Sequence, residues 1–482
     1  MLPFPTPLST RGTQIVDANG DSVILKGVNW FGMETDVHIP HGLAFRDYKN
    51  MLAQIKSLGF NLIRLPFSVN ALRSSYIGWV NYSIGSNRDL QGKRPVEAMD
   101  ILIEEAEKQG LFILLDSHRL NDDRIPELWY GDGFIEADWI NTWTMLAQRY
   151  KYRKNIIGAD LKNEPHGRAR WGNNDQSTDW RLAAQRCGNA ILSINPNWLI
   201  IVEGVGNVPG QKLSGHWWGG NLENAGSYPI VLNLPNKVIY SPHEYGEGVH
   251  PASWFYESSF PNNLYERWEE GFHYIVKQGI APILIGEFGG FKVDANSKEG
   301  IWQRQFVDFI AENQLSFIYW SWNPNSSDTG GVLLDDWKSV DKPKLQLLNK
   351  ILIQDRPTTP ATPTPEPTPQ PTPEPTPEPD LQVEVEVVIL SEWSNGFCLD
   401  FQITNNSNTN ISEWEITFEV NEAQIYNSWN GTFVSQGSTY KVSAEKDWTK
   451  VIPAGSTLKG IGYCANKVGS DYKPSQIKFG LK

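Results

Sequence analysis

The chain of 482 residues has only three cysteines, and it carries 42 Lys and Arg against 55 Asp and Glu, a net charge of -13. So few cysteines exclude a disulfide-rich scaffold. The acidic balance argues against nucleic-acid binding, which relies on clustered Lys and Arg. No stretch approaches the roughly 20 apolar residues of a membrane span, and the start, MLPFPTPLSTRG, lacks the apolar core of a signal peptide. We expect no membrane or nucleic-acid partner, and an uncharged partner fits this acidic composition better.

Aromatic residues are abundant, with 20 Trp, 17 Tyr and 20 Phe. Flat aromatic faces can stack on uncharged ligands such as sugars. They can equally fill the core of a large protein. Composition alone leaves both interpretations open.

The clearest boundary in the sequence is a segment between Pro357 and Pro379 that alternates Pro with Thr or Glu. Since Pro fixes its own φ and lacks an amide donor, such a segment forms neither helix nor sheet. We interpret it as a semi-rigid spacer of about 3.1 Å per residue, with a passive hinge or interaction tail as the alternative. The predicted parts are a first domain over 1–355, a linker over 356–380 and a second domain over 381–482.

The first part alternates short β-branched runs with longer helix-period stretches, which predicts a (β/α)8 barrel rather than an open doubly wound sheet. The predicted strands are VILKGVNW, NLIRLPF, LFILLDSH, IIGADLKN, WLIIVEGV, KVIYSPHEY, APILIGEF and LSFIYWSWN. Ahead of them, IVDANGDSV with Asn19-Gly20 at its turn predicts a hairpin that covers the base of the barrel.

Nearly every predicted strand ends in a polar or aromatic residue, and in a barrel these ends share the rim where active sites form. The residues are Asn29, Trp30, Arg64, Asp116, His118, Asn163, Glu164, Glu203, His243, Tyr245, Glu287, Trp322 and Asn323. Glu164 ends the fourth strand and Glu287 the seventh, so they can converge from nearly opposite sides. Two carboxyls about 5 Å apart would hydrolyse a glycosidic bond with retention, and a gap of about 6.5 to 9.5 Å would give inversion.

The motifs NLIRLPF, LDSHR, KNEP, SPHEYG, IGEFGG and YWSWNPNSSDTGG, in this order, resemble glycoside hydrolase family 5 over most of residues 8 to 352, and within it the bacterial endo-β-1,4-glucanases. The resemblance implies a set of site residues. Those at the reacting centre are Glu164 as acid/base, Glu287 as nucleophile, Asn163 as ligand of the substrate 2-hydroxyl, Tyr245 as hydrogen-bond partner of Glu287, Arg64 as the group that keeps Glu287 ionised, and the supporting His118 and His243.

Tryptophans are expected to line the groove. We predict that Trp322 is the platform beneath the reacting sugar and that Trp30 and Trp217 stack on units farther along. For Trp218 and Trp320, stacking and packing stay open, because adjacent residues on an extended segment point opposite ways. Glu203 has no role from the resemblance, and a structural hydrogen bond is its better interpretation.

Rival chemistries are less well supported by the sequence. His38 and His41 are loosely spaced in a Pro-containing loop, and neither an H-x-H strand motif nor HExxH occurs. A Schiff-base enzyme could use Lys26 or Lys162, but both glutamates would then be unexplained. We expect no metal and no cofactor.

Residues 381–482 show strand-like runs separated by Asn, Ser and Gly, which predicts an antiparallel β-sandwich. The motifs SEWSNGF, ISEWEITF, YNSWNG and KDWTKVIPAGST resemble the family 2 carbohydrate-binding modules. That resemblance implies an exposed strip of Trp393, Trp429 and Trp448 that stacks on crystalline cellulose, with Trp414 in the core. Core packing of all three is the alternative.

The cysteines depart from the pattern of these modules, which commonly join their two ends by a disulfide. Cys398 and Cys464 lie instead within strand-like runs. They would form a bridge if those strands are adjacent, and two free buried thiols are the alternative. Cys187, in a helical pattern, is expected to be a buried thiol.

Taken together, these features predict a secreted, extracellular and monomeric retaining endo-β-1,4-glucanase that acts on cellulose and related β-glucans. One alternative is the same scaffold acting on mannan, xyloglucan or mixed-linkage glucan. The other is a cellulose-binding protein whose barrel has lost activity, which the presence of both Glu164 and Glu287 disfavours.

Overall fold

The computed structural model describes residues 2–353, 383–393, 395–407, 409–445 and 449–481. The chain divides into two compact units, Met1–Thr358 and Thr359–Lys482, each with a hydrophobic core of its own. The predicted linker over 356–380 lies outside the described residues. Within the described ranges, no helix has both the length and the apolar composition needed to cross a membrane.

The first unit begins with an antiparallel hairpin of β1 (Ser9–Arg11) and β2 (Gln14–Val16). The Asn19-Gly20 turn follows this hairpin and closes only the single bridge Val16↔Ser22, so the hairpin lies earlier than the sequence predicts. Side chains around the hairpin nevertheless pack against residues at the beginnings of the barrel strands, and Leu8, Ile15 and Val23 belong to this cluster. The predicted cover over the base of the barrel is confirmed.

Eight parallel strands form the barrel. They are β3 (Lys26–Asn29), β4 (Leu62–Ser68), β5 (Phe112–Arg119), β6 (Ile156–Asp160), β7 (Leu199–Glu203), β8 (Val238–Ser241), β10 (Leu284–Ile285) and β12 (Ser316–Tyr319). They pair in the order β10-β12-β3-β4-β5-β6-β7-β8, and the parallel bridge Tyr240↔Ile283 brings the two edges together. Beyond them, β9 (His243–Tyr245) pairs in parallel with β11 (Glu287–Gly289) at the mouth. The predicted barrel is confirmed, with all eight strands in the predicted segments.

Helices fill the connections between these strands. Their bounds are α1 (Tyr48–Ser57), α2 (Val69–Arg73), α3 (Pro95–Gln109), α4 (Glu136–Arg149), α5 (Trp180–Ile194), α6 (Asn263–Trp268), α7 (Tyr274–Lys277), α8 (Lys298–Glu312) and α9 (Lys342–Leu352). Helix α3 shows why they begin and end where they do: Pro95 opens it, Glu97 accepts the Arg94 amide at 2.8 Å, and Gly110 ends it at φ 75°. A π-helical turn over Glu269–His273 separates α6 from α7.

Many of the tryptophans are core residues of the barrel unit. The fully buried ones are Trp30, Trp129, Trp139, Trp143, Trp180, Trp198, Trp268, Trp302 and Trp322. Buried indoles need a partner for their N–H, and Trp139 and Trp143 both donate to the Leu161 carbonyl, at 2.8 and 2.9 Å. Core filling therefore accounts for much of the aromatic content.

The second unit is an antiparallel β-sandwich, as predicted. Its strands are β13 (Val383–Trp393), β14 (Gly396–Asn405), β15 (Ile411–Ser412), β16 (Trp414–Glu419), β17 (Ala423–Trp429), β18 (Gly431–Gln436), β19 (Thr439–Ala444), β20 (Val451–Ile452), β21 (Thr457–Lys467) and β22 (Ser475–Leu481). One sheet has the order β13-β14-β21-β17 and the other β18-β19-β16-β22. Trp414 is buried between them and donates its indole N–H to the Thr449 carbonyl at 2.7 Å, which confirms its core position.

Cys398 and Cys464 form a disulfide. They face each other on β14 and β21, with Cα atoms 4.0 Å apart and a separation of 66 positions in sequence. The open choice between a bridge and two free thiols is thus decided by strand pairing. Cys187 is a buried free thiol on α5, as expected.

We predict that the double substitution Cys398→Ala and Cys464→Ala destabilises the second unit. Closing a loop of this length restricts the unfolded chain, and the chain-entropy model puts the effect at about 4 kcal/mol. Calorimetric unfolding of the full chain should show the transition of the second unit at a lower temperature, while that of the barrel unit stays in place.

Cys187→Ala is the matched control, because it removes a buried thiol that bridges nothing. It should leave the transition of the second unit unchanged. If the double variant unfolded at the wild-type temperature, the bridge would not contribute to stability.

Candidate active site

Arg64, on β4, lies at the centre of the site and is fully buried. Its Nε donates to Asp160 Oδ2 at 2.8 Å, its Nη1 to Glu287 Oε1 at 2.6 Å and its Nη2 to Glu203 Oε1 at 3.1 Å. Nη2 also lies 3.1 Å from Asp116 Oδ2. Burial alone would lower the pKa of Arg64, but these carboxylates outweigh it and raise the pKa well above its ordinary value. The guanidinium is therefore a permanent positive charge beneath the barrel mouth.

Glu287 begins β11 and lies beside His243, its partner in the parallel register. The Tyr245 hydroxyl donates to Glu287 Oε2 at 2.6 Å, and Arg64 donates to the other oxygen. Burial raises the pKa of Glu287, but the positive charges of His243 and Arg64 outweigh it, so the pKa lies below its ordinary value. The carboxylate is ionised and available as a nucleophile.

Glu164 follows β6 in a left-handed backbone conformation, with φ 49°. Its amide donates to Glu203 Oε2 at 2.6 Å. A Cβ at Gly219 would lie 2.5 Å from that same Glu203 oxygen and 3.3 Å from Glu164 Cα, so glycine is needed there. Burial, together with the Glu287 charge, raises the pKa of Glu164 to about 7 against the lowering effect of His243. This carboxyl keeps its proton to near neutral pH, as a general acid requires.

His243 lies between the two glutamates. Its Nδ1 is 3.1 Å from Glu164 Oε1 and 3.5 Å from Glu287 Oε2, and its Nε2 is 3.3 Å from Glu203 Oε1. Burial lowers its pKa, yet the charges of Glu203 and Glu287 raise it well above the ordinary value, which makes the ring an imidazolium. One carboxylate oxygen of Glu164 lies within 4.8 Å of one of Glu287. This distance agrees with the carboxyl separation of about 5 Å that is typical of glycosidases that retain the anomeric configuration.

Asn163 and His118 complete the floor of the site. Asn163 Oδ1 accepts from Arg64 Nη2 at 3.0 Å, and its Nδ2 lies 3.3 Å from His118 Nε2. His118 Nδ1 lies 2.7 Å from Asp116 Oδ2. Burial lowers the pKa of His118 well below its ordinary value, so this ring is neutral. Asn163 is thus fixed beside Glu164 by a charged and a neutral partner.

Two groups of described side chains are close enough together to ligate a metal ion. In the first, Asp116, Asp160 and Glu203, the Arg64 guanidinium already contacts all three carboxylates. The second is the pair of glutamates with His243, where the histidine cation supplies the balancing charge. Burial raises the pKa of Asp116, Asp160 and Glu203, to about 6 at Asp160 and to about 7 at Glu203, so the first group does not carry three full negative charges at neutral pH.

The structure corrects the predicted sugar platform. Trp322 is fully buried, so its ring has no face open to a ligand. Trp30 is also fully buried. Trp320, two residues earlier, is the partly exposed ring at the mouth, and it stacks on His118 with centroids 5.5 Å apart and planes at 14°. Burial thus assigns Trp322 to packing and leaves Trp320 as the stacking candidate.

On the opposite side of the mouth, Trp217 is partly buried and packs edge-on against Tyr245, with centroids 5.9 Å apart. Its neighbour Trp218 is 50% exposed and stacks on His166 at 3.6 Å. His166 Nδ1 lies 2.7 Å from the Glu164 carbonyl oxygen. Sequence reasoning missed His166, although its position two residues after Glu164, within KNEPHG, places it at the same rim.

In the second unit, Trp393 and Trp429 lie on the outward face of one sheet. A Cβ at Gly396 would lie 2.4 Å from the Trp393 ring, and one at Gly462 would lie 2.6 Å from the Trp429 ring, so each ring lies over a glycine of the neighbouring strand. Trp393 is 38% exposed and Trp429 is partly exposed. Trp448, the third predicted member of the strip, lies outside the described residues.

Comparisons with known proteins find a matching family for each of the two units. The family model described as cellulase (glycosyl hydrolase family 5) matches residues 16–326, and the cellulose binding domain matches 383–480. An endoglucanase of Paenibacillus polymyxa is 52% identical over 344 residues, which covers 71% of this chain and 86% of the relative. The major extracellular endoglucanase of Xanthomonas campestris pv. campestris is 41% identical over 460 residues, 94% of this chain and 93% of the relative. The solved catalytic domain of the Xanthomonas enzyme has a TM-score of 0.68 at 42% identity and covers 72% of this chain and 100% of its own.

We predict that Tyr245→Phe moves the acidic limb of the pH profile upward. The phenol stabilises the Glu287 anion, so its loss raises the pKa of Glu287, and turnover then requires a higher pH for ionisation. A hydrogen bond to a charged group is worth about 1.5 to 3 kcal/mol, which corresponds to about one pH unit or more. The measurement is kcat/KM as a function of pH.

Tyr319→Phe is a matched control, because Tyr319 is a buried tyrosine whose hydroxyl donates to Gln303 at 2.8 Å rather than to a site residue. Its acidic limb should coincide with that of wild type. An unshifted limb in Tyr245→Phe would show that Tyr245 does not control the ionisation of Glu287.

Proposed function

Since the chain belongs to glycosyl hydrolase family 5, we propose that it is a retaining endo-β-1,4-glucanase that hydrolyses internal bonds of cellulose. One observation carries this proposal: two carboxyls within 4.8 Å of each other have pKa values shifted in opposite directions, upward at Glu164 and downward at Glu287. Opposite protonation at that spacing is what double displacement requires.

In the first step, a Glu287 oxygen attacks the anomeric carbon while the bond from that carbon to the leaving oxygen breaks. The Glu164 proton passes to the leaving oxygen, and a glycosyl ester of Glu287 remains. Forming the ester removes the Glu287 charge, which is one of the causes that raise the pKa of Glu164. The pKa of Glu164 therefore falls, so this group is ionised in the second step and takes a proton from the water that attacks the anomeric carbon. The bond from that carbon to Glu287 breaks in the same step, and the Glu287 carboxylate is restored.

The surrounding residues position these two groups. We assign Asn163, which directly precedes Glu164, to the substrate 2-hydroxyl. Its oxygen is fixed by Arg64, and of the two Nδ2 hydrogens only one is needed for the contact with His118. Glu203 holds the Glu164 amide and is a structural hydrogen-bond acceptor, in line with the sequence interpretation. Trp320 and Trp218 flank the centre as stacking surfaces on opposite sides.

The second unit serves to attach the enzyme to its insoluble substrate. Trp393 and Trp429, on one outward face, supply the flat aromatic contact, and Trp448 remains a predicted third member. The Pro-rich segment 356–380 would act as the tether, which raises the local concentration of enzyme on cellulose. The disulfide suits an oxidising extracellular setting, and we propose that the protein is secreted.

We predict that Glu164→Ala depresses hydrolysis of carboxymethylcellulose by about 100-fold or more, but affects aryl cellobiosides with good leaving groups far less. Only a poor leaving group needs the proton. Azide should restore turnover by attacking the glycosyl ester, and the product should be the β-azide, which NMR would identify.

Wild-type activity on carboxymethylcellulose, lichenan, xyloglucan and glucomannan, measured in parallel, sets the substrate range.

If Glu164→Ala lost equal activity on carboxymethylcellulose and on aryl cellobiosides, and azide gave no rescue, Glu164 would not be the acid/base. An α-azide product would contradict the double displacement.

We predict that Trp393→Ala and Trp429→Ala each weaken adsorption to crystalline cellulose. An exposed stacking aromatic contributes of the order of 2 kcal/mol, or about 30-fold in Kd. Adsorption isotherms on microcrystalline cellulose provide the measurement. Activity on soluble glucan should stay at the wild-type level, because the catalytic groove belongs to the other unit.

Tyr152→Ala is the matched control, since it removes an aromatic side chain that is 89% exposed on the barrel unit. It should adsorb like wild type. Wild-type adsorption by folded Trp393→Ala and Trp429→Ala would show that this face does not bind cellulose.

A further inference from the structure

A cavity of about 260 Å³ lies at the base of the barrel unit. Its walls come from residues 6–8 of the N-terminal segment, from the loop 151–154 ahead of β6, and from the turn between α5 and β7. Both strands begin at this end of the barrel, whereas Glu164 follows the other end of β6. Because active sites of such barrels form at the rim where the strands end, this cavity is separate from the catalytic groove.

The charged side chains that line this cavity are all cationic. They are Lys151, Arg153 and Lys154, and no Asp or Glu occurs among the described lining residues. Arg153 lies 3.6 Å from Glu104 and 3.4 Å from Glu107, whereas the two lysines form no ion pair within the described part of the chain. The local charge is thus opposite to the net charge of -13 of the whole chain. A concave site of this kind attracts an anion.

Trp198 gives an independent indication that the cavity takes a polar ligand. It lines the cavity, and its side chain is only 1% exposed. Its indole N–H has no hydrogen-bond partner among the residues that the structure describes. Since an unpaired buried donor is costly, an acceptor atom of a ligand in the cavity would stabilise this position.

The remaining walls are largely apolar. Leu8, Ile156 and Ile157 are buried residues that line the cavity. The volume lies near the lower limit of small-molecule pockets, about 300 Å³, and so suits one ring-sized molecule. A sugar ring that bears a carboxylate matches all of these groups, because its C–H faces are apolar, its hydroxyl oxygens accept hydrogen bonds and its charge pairs with lysine.

We propose that this cavity binds a hexuronate, the carboxylated sugar unit of an acidic polysaccharide. The ammonium groups of Lys151 and Lys154 pair with the carboxylate, and the Trp198 N–H donates to a sugar oxygen. The site adds a second polymer contact to the barrel unit without taking part in the reaction at Glu164 and Glu287. It does not depend on the proposed function, since binding is measured without hydrolysis.

The test is affinity electrophoresis of the full chain in native gels that contain polygalacturonate, or the same polymer after reduction of its carboxyls to alcohols. We expect the acidic polymer to retard wild type and the reduced polymer to have no such effect. The double substitution Lys151→Gln and Lys154→Gln should raise the dissociation constant about tenfold, because both charged partners are lost. Trp198→Phe keeps an aromatic ring but lacks the N–H, and should raise it about fivefold.

The matched control is the double substitution Lys93→Gln and Lys342→Gln, which makes the same change in net charge at exposed positions outside the cavity. It should bind like wild type. Tyr152 also lines the cavity, but crystalline cellulose carries no carboxylate, so Tyr152→Ala should still adsorb to cellulose like wild type.

Free galacturonate should relieve the retardation, whereas inorganic phosphate at the same ionic strength should not. Equal relief by phosphate would overturn the proposal, because the site would then take anions without regard to the sugar. Absence of retardation by polygalacturonate, or equal retardation by both polymers, would overturn it as well. So would wild-type binding by the folded variant that lacks Lys151 and Lys154.

Discussion

The buried guanidinium of Arg64 holds the active site together. It contacts carboxylates from β5, β6, β7 and β11, so a single side chain fixes the positions of four chain segments at the barrel mouth. Burying so many carboxyls is costly unless they are paired, and removing one partner of such a network typically costs about 3 to 5 kcal/mol. The same cation keeps Glu287 ionised and holds Glu203, whose other oxygen holds the Glu164 amide. The proposed nucleophile and the proposed acid/base are thus positioned through one group.

Burial raises the pKa of both Glu164 and Glu287, and the positions of the positive charges make the two pKa values differ. Arg64 contacts Glu287 directly, whereas its links to Glu164 pass through Glu203 and Asn163. His243 lies near both, and it contributes to a lower pKa at each. The Glu287 charge in turn raises the pKa of Glu164. The protonation of the pair is therefore coupled, and it changes in the required direction when Glu287 is esterified.

Much of this architecture is predictable from sequence because each step depends on a local pattern. β-branched runs between amphipathic helices predict the barrel. Because parallel barrel strands all end at the same rim, Arg64, Glu164 and Glu287 are then expected at one rim. The patterns do not determine which way a given ring faces. Trp320 and Trp322 have the same parity in WSW, yet one lies at the mouth and the other in the core. The disulfide depends on the register between β14 and β21, and the true position of the first hairpin likewise depends on pairing rather than on its turn residues.

The floor and the walls of the mouth differ in a way that matters for a neutral polymer. The floor is a network of buried charges, whereas the walls are aromatic rings with neutral His41 and His118 beside them. A β-glucan chain lying across the mouth would bind to the walls at several units while only one linkage reaches the charged floor. Binding energy from distant units can then be used to hold and distort the sugar at Glu287. Stacking rings on both sides of the glutamates, Trp320 and Trp218, favour cleavage within a chain over cleavage at its end.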